Sequence, residues 1–269
     1  MTIINYQLKI KQMAIDLDAI KNKLQSLQSK TQKQDNLWKP TPGIHQIRIV
    51  PYIHNRENPF LELYFHYGFV GKTILSPTTF GKKDPIVEFA DKLKSTGNKE
   101  EWKMGKSLEP KMRCYVPVII RGKESEGVKF WGFGKSVYQE ILGFITDPDY
   151  GDITDPTSGR DITVEFKSKE ATGKDFPETS IRVKPNVTPM TDSKEVLEHI
   201  KNQPKITDLF KEYAYDEIEK LLQEWLNPTE EAKQPVQDTN KAGLETETTT
   251  AKKVEDVSAA FDSLFAKSK

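Results

Sequence analysis

One stretch, Lys111 to Ile145 (KMRCYVPVIIRGKESEGVKFWGFGKSVYQEILGFI), restricts the fold more than any other. It reads as strand, turn, strand, helix. Tyr115 to Ile120 is apolar and rich in β-branched residues, the pattern of a buried strand. Arg121 to Gly127 is a polar turn closed by glycine. Val128 to Phe133 is a second strand with alternating side chains: Val128 and Phe130 share one face, Lys129, Trp131 and Phe133 the other. That second face has two readings. If it is open to water, its aromatic area calls for a cover, and a flat ring beside a cation suits a nucleic-acid base and its phosphate. If the sheet is buried on both sides, Trp131 and Phe133 belong to the core.

Net charge over the 269 residues is zero, with 36% hydrophobic and 30% charged residues. A core can form, while a good part of the chain stays solvated. A nucleic-acid binder of zero net charge must concentrate its basic residues locally, because a phosphate senses the nearby field. Between Trp102 and Lys135 there are eight basic residues (Lys103, Lys106, Lys111, Arg113, Arg121, Lys123, Lys129, Lys135) and three acidic ones (Glu109, Glu124, Glu126). The excess falls in the stretch already singled out. The single cysteine, Cys114, excludes an internal disulfide and fits a reducing compartment. No apolar run is long enough to span a membrane and no signal peptide is evident.

Catalytic signatures are missing. The histidines His45, His54, His66 and His199 are scattered, without the paired spacing of a zinc site. Gly132-Phe133-Gly134-Lys135 lacks the spacing of a phosphate-binding loop, and no nucleophile elbow occurs. Asp147 to Arg160 has a faint likeness to a calcium loop, but Ser158 stands where the twelfth-position carboxylate belongs, so it reads as solvated turns.

Along the chain, residues 1 to 30 carry Ile10, Met13, Ile15, Leu17, Ile20, Leu24 and Leu27 at roughly helical spacing among lysines, an amphipathic arm. Strands are expected at Ile44 to Pro51, Phe60 to Val70, Ile162 to Lys169 and Thr179 to Lys184. Ser76 to Pro85 reads as a loop, Ile86 to Lys94 as a short helix, and Ser95 to Lys106 as a charged stretch in which Trp102 stands alone. Two helices follow, one capped by Asp192 with Glu195 three residues on, the other from Ile206 to Leu226. Pro228 to Val254 has the composition of a disordered tether. Beyond it Phe261, Leu264 and Phe265 form either a partner-binding hook or a frayed end. Five or so short strands closed by helices suggest a small barrel, OB-type or SH3-like.

Four segments carry a family resemblance: Leu37-Trp38-Lys39, Ile47 to Pro51, Pro59-Phe60 running to His66-Tyr67-Gly68-Phe69, and most strongly Glu126 to Lys135. In order and rough spacing, across residues 37 to 185, the chain resembles the single-stranded DNA-binding, helix-destabilising proteins of T-even-like myophages, the gene 32 product family. The resemblance implies an OB-fold core, a basic N-terminal arm for cooperative self-association, and an acidic C-terminal tail that contacts replication and recombination proteins. Trp131 matches an aromatic position that faces DNA, and Trp102 and Phe176 fall near others. Lys103, Lys106, Lys111 and Arg113 lie where the family has a basic cluster. The type member binds zinc through one His and three Cys. Here His66 matches the histidine, but the cysteine positions fall at about Ser76, Asp84 and Val87, so no metal is expected. Packing of Phe80, Ile86, Val87 and Phe89 is the expected replacement. The N-terminus lacks the family's opening basic cluster, and the region after Pro228 has eight acidic and six basic residues. A hydrophobic hook therefore fits this tail better than an electrostatic one.

The expectation is a mainly β protein with flanking helices (α+β). Residues 1–35 form a self-associating helical arm, 36–227 an OB-fold core with C-terminal helices, and 228–269 a disordered tail with a terminal motif at Phe261, Leu264 and Phe265. It is expected to coat single-stranded DNA in phage replication, recombination and repair, without catalysis or cofactor, in the cytoplasm of an infected bacterial host. The expected nucleic-acid contacts are Trp102, Lys103, Lys106, Lys111, Arg113, Tyr115, Arg121, Lys129, Trp131, Lys135, Lys167, Phe176 and Arg182. An RNA-binding module and a replisome scaffold are the alternatives.

Overall fold

The computed structural model describes residues 36–227. The expected arm, the tail and the motif at Phe261, Leu264 and Phe265 lie outside the described residues. Eight strands are present among the described residues: β1 (Leu37–Trp38), β2 (Gly43–Ile49), β3 (Leu61–Phe69), β4 (Lys72–Leu75), β5 (Lys111–Ile120), β6 (Lys129–Phe133), β7 (Arg160–Lys167) and β8 (Glu178–Val187). The helices are α1 (Pro85–Ser95), α2 (Lys99–Leu108), α3 (Lys135–Thr146), α4 (Lys169–Thr172), α5 (Lys194–Lys201) and α6 (Tyr215–Leu226). The class is α+β, with one sheet ordered β1-β6-β5-β2-β7-β8, β3 added on β5 and β4 on β3.

Strand β5 is the hub, because its ten residues serve two neighbours on one edge. Lys111 to Tyr115 pair with β3, and Val118 to Ile120 with β2. The other edge pairs with β6 from Cys114 to Val118. Residues opposite each other in an antiparallel pair point to the same face. The register therefore puts Ile47, Ile49, Val116, Val118, Trp131, Phe133, Ile162 and Val164 on one face, where they form the main core.

That placement decides between the two readings of β6. Trp131 is 1% exposed and Phe133 3%, so the face that carries them is interior. The cause follows immediately in the chain. After Gly134, α3 sets Val137 and Ile141 into the same cluster, and Trp38 meets Trp131 edge-on at 5.8 Å. Phe130 and Val128, on the opposite face, are buried too, so β6 is covered on both sides.

A second cluster joins α1, α2 and α6 to the β3–β4 hairpin through Phe69, Ile74, Ile86, Phe89, Leu93, Ile218 and Leu222. Both β4 and α2 went unread in the sequence. β4 has only four residues. α2 buries only Glu101, Gly105 and Leu108, so its pattern is too polar to announce a helix. Its start is nevertheless encoded: the Asn98 side chain accepts from the Glu100 and Glu101 amides, as an N-cap does. Gly105 lets α2 lie against α1, since a Cβ there would sit 2.6 Å from the Ala90 carbonyl oxygen.

A third, smaller cluster seats α5 on Val50, Ile119 and Val128. Its cap is Ser193, which accepts from the Val196 amide, and not Asp192. The helix expected over 206–226 is broken. A 3-10 turn spans Ile206–Leu209, residues 210–214 are irregular, and α6 begins where Glu217 accepts from the Ala214 amide at 3.0 Å. In the 147–160 loop the acidic side chains cap turns. Asp155 Oδ1 accepts from the amides and hydroxyls of Thr157 and Ser158, which holds that carboxyl well below its usual range.

Candidate nucleic-acid interface

The face of the β3–β5–β6 sheet opposite the main core brings aromatic and basic residues together, most of them buried. The register places Phe65 opposite Lys111, Leu63 opposite Arg113, Leu61 opposite Tyr115, and Tyr115 opposite Gly132. By alternation Tyr67 lies on the same face as Phe65. Because residue 132 has no side chain, the Tyr115 ring lies across its backbone. A Cβ there would sit 2.5 Å from the ring. Phe65 and Phe210 flank that ring, with centroids 6.1 and 5.4 Å away. Arg113 is 8% exposed, donates from Nη2 to the Gly132 carbonyl at 2.8 Å, and hydrogen-bonds Tyr115. Its Nε is buried with no partner. Burial pushes the Tyr115 and Tyr67 hydroxyls above the ordinary phenol range, and the nearby Arg113 charge opposes that in both. At neutral pH both rings are neutral, with a guanidinium beside them.

The expected contact residues scatter more than their sequence clustering suggested. Trp102 is 49% exposed on α2. Lys103 and Lys106, on the same helix, pair with Glu100 at 3.1 Å and Glu109 at 2.6 Å. Such exposed i,i+3 pairs are weak and exchange readily for a phosphate. Lys111 is exposed at the start of β5, Lys135 at the start of α3, Arg182 on β8 and Phe176 in the β7–β8 connection; Lys129 is half-buried. Lys167 is exposed and pairs with Glu165 at 3.1 Å.

Four of the thirteen do not have the accessibility expected of them: Arg113 is buried against the Gly132 carbonyl, as described above, and three others follow. Trp131 and Tyr115 are buried, the first in the main core and the second beneath Phe210. Arg121 is committed elsewhere: its guanidinium donates to both Asp161 carboxylate oxygens and to the Met190 carbonyl. The same Asp161 lies 3.5 Å from the fully buried Arg48 and accepts from Gln46 at 2.9 Å. The group pins β2, β5, β7 and the 188–190 segment together. Sequence reasoning missed Phe65, Tyr67 and Phe210. The Phe65-x-Tyr67 alternation was visible in β3, but only the register with β5 brings those rings to Arg113. Nothing local marks Phe210, which arrives from 95 residues further on than Tyr115.

A family model described as gp32 DNA binding protein like matches residues 42–227, from the start of β2 to the end of α6. This chain belongs to that gp32-like DNA-binding family. No curated protein matches it. Among the described residues no helix is long and apolar enough to cross a membrane.

The resemblance drawn from the sequence brings a zinc expectation to His66 and the positions of Ser76, Asp84 and Val87. Among the described residues no group of three or more His, Cys, Asp or Glu side chains is placed to share a metal ion. The positions matched to the ligands hold one imidazole, one hydroxyl, one carboxylate and an aliphatic chain, without a thiolate, and do not fit the family's zinc. The apolar replacement expected there is found only in part. Ile86 and Phe89 are fully buried, but Phe80 is 37% exposed, and the centre of the site is polar.

Proposed function

We propose that this chain is a non-catalytic protein that binds single-stranded DNA without sequence preference. The observation that carries the reading is the aromatic–arginine face of β3, β5 and β6, where the Arg113 charge acts on both Tyr67 and Tyr115 and Lys111 stands on the same face. Half-exposed Tyr67 and Phe210, together with Trp102, offer flat faces on which a base of any kind can stack. Stacking contributes about 1–3 kcal/mol per base and is sequence-tolerant. Lys103, Lys106, Lys111, Lys135 and Arg182 meet phosphates, which makes affinity fall with salt. Duplex DNA hides its base faces, so the single strand is favoured and binding draws the melting equilibrium toward strands.

The antiparallel ladder around β5 supports an OB-type core over 36–227. The family resemblance supports a wider role: self-association through residues 1–35 and service in phage replication, recombination and repair in the host cytoplasm, while the apolar pattern of the tail itself supports a partner hook at Phe261, Leu264 and Phe265. Tryptophan fluorescence during titration with poly-dT tests the reading. Trp131 is buried and Trp102 exposed, so quenching should be salt-weakened, absent with duplex, and largely removed in Trp102→Phe. No binding of poly-dT at low salt overturns it.

A further inference from the structure

The four positions that align with the family's zinc ligands meet in space at one carboxylate. Asp84 Oδ2 receives the Ser76 hydroxyl at 2.5 Å and His66 Nε2 at 2.9 Å. Asp84 Oδ1 receives the amides of Ile86 at 2.9 Å and Val87 at 3.4 Å, and so caps α1. The other imidazole nitrogen, His66 Nδ1, lies 3.0 Å from the Leu108 carbonyl at the end of α2. His66, Ser76 and Asp84 are 1%, 0% and 2% exposed.

Donor accounting shows why this group has no room for a metal. Both His66 ring nitrogens are taken up by protein oxygens, the Leu108 carbonyl on one side and the Asp84 carboxylate on the other, so neither is turned to a vacant site. Each Asp84 oxygen already takes two donors. Burial alone would raise the Asp84 pKa, but the bonds from His66, Ser76 and the Ile86 amide hold it below the usual carboxylate range. The group joins four elements: β3 supplies His66, the residue after β4 is Ser76, Asp84 is the N-cap of α1, and α2 ends at Leu108.

We propose that the Asp84 carboxylate takes the place of a structural metal ion in this chain, cross-linking β3, the β4 turn and the ends of α1 and α2, so that the chain folds and remains folded without zinc. This rests on the family membership and the geometry, not on the single-strand reading above. His66 lies between Phe65 and Tyr67 on β3 and points to the opposite face, so the clamp also holds the strand that presents Tyr67.

The test uses the full chain, purified with zinc present and then measured with and without excess chelator. Bound zinc well below one per chain and an unchanged thermal midpoint are expected. One zinc per chain, or a midpoint that falls with chelator and recovers with zinc, overturns the proposal. Asp84→Asn separates the clamp from the helix cap, since asparagine caps equally well but no longer offers a carboxylate to His66 and Ser76. Its midpoint should fall by about 5 °C or more. A wild-type midpoint in Asp84→Asn overturns the clamp. Should that variant not fold, Ser76→Ala, which removes one donor, replaces it under the same criterion. Poly-dT affinity is measured separately, so failure of the clamp and failure of the single-strand reading are told apart.

Discussion

The ring of Tyr115 on β5 lies across the backbone of Gly132 on β6, so closely that a Cβ at 132 would stand 2.5 Å from one ring carbon and 2.9 Å from another. The ring cannot simply swing away, because Phe65 and Phe210 border it and Arg113 bonds to it. Gly132→Ala should therefore destabilise the fold by about 1–3 kcal/mol through overpacking. It should also weaken poly-dT binding at temperatures where the variant is fully folded. Urea denaturation gives the first value and a binding isotherm the second. A variant with wild-type stability would show that the Tyr115 ring moves freely.

Trp131 and Trp102 should behave in opposite ways. Trp131 is core, so Trp131→Ala is expected to lower stability by about 3–5 kcal/mol, the range for a large aromatic lost from a packed interior. Trp102→Ala should leave the denaturation midpoint nearly unchanged and reduce single-strand affinity by about one stacking contribution, 1–3 kcal/mol. Parallel denaturation and binding curves on the two variants check both statements.

The arginines divide in the same way. Asp161 balances Arg121 and the fully buried Arg48. Asp161→Ala leaves a buried guanidinium without its partner and should cost about 3–5 kcal/mol of stability. Arg182, exposed on β8, should instead act on binding. Arg182→Ala is expected to reduce the slope of log affinity against log salt by about 0.7, one single-strand phosphate contact, with the midpoint unchanged. Salt titrations of both variants against poly-dT distinguish a structural arginine network from a phosphate contact.

Five tyrosines link stability to alkaline pH. Tyr52, Tyr67, Tyr115, Tyr138 and Tyr215 are all shifted upward, first by burial, and Tyr138 reaches about 12. A raised phenol prefers its neutral form in the folded state. Its contribution is present in full below the unfolded value near 10 and is lost as pH rises from there through the folded value. Absorbance of tyrosinate should thus lag behind that of the urea-unfolded chain between pH 10 and 12, and the thermal midpoint should fall over the same window. Coincident titration curves for folded and unfolded chains would contradict this.

The strand–turn–strand–helix order of residues 111–145 was legible because each element has a local cause: β-branched runs, a glycine-closed turn, an amphipathic helix after Gly134. So were β2, β3, β7, β8 and α1. Among the elements that escaped were the short β1, β4 and α4, the polar α2 and the break between Leu209 and Tyr215. In each of these the deciding interactions are a few capping bonds or a partner far along the chain. Composition and pattern also pointed to a ring beside a cation near the centre of the chain, but the ring they named, Trp131, is in the core.

What sequence alone determined was the supply of aromatic and basic residues and the alternation that sorts them between two faces of each strand. Which face became interior was decided only by tertiary structure. Alternation is symmetric, so Lys129-Phe130-Trp131-Gly132-Phe133 can present either set of side chains to water until something covers one of them. Helix α3 covers the Trp131 side, and the β3–β5 register carries Phe65, Tyr67 and Arg113 to the other. The same holds at His66, Ser76 and Asp84. Their identities are plain in the chain, but only folding brings them within hydrogen-bonding distance, where a carboxylate can hold together what they would otherwise leave apart.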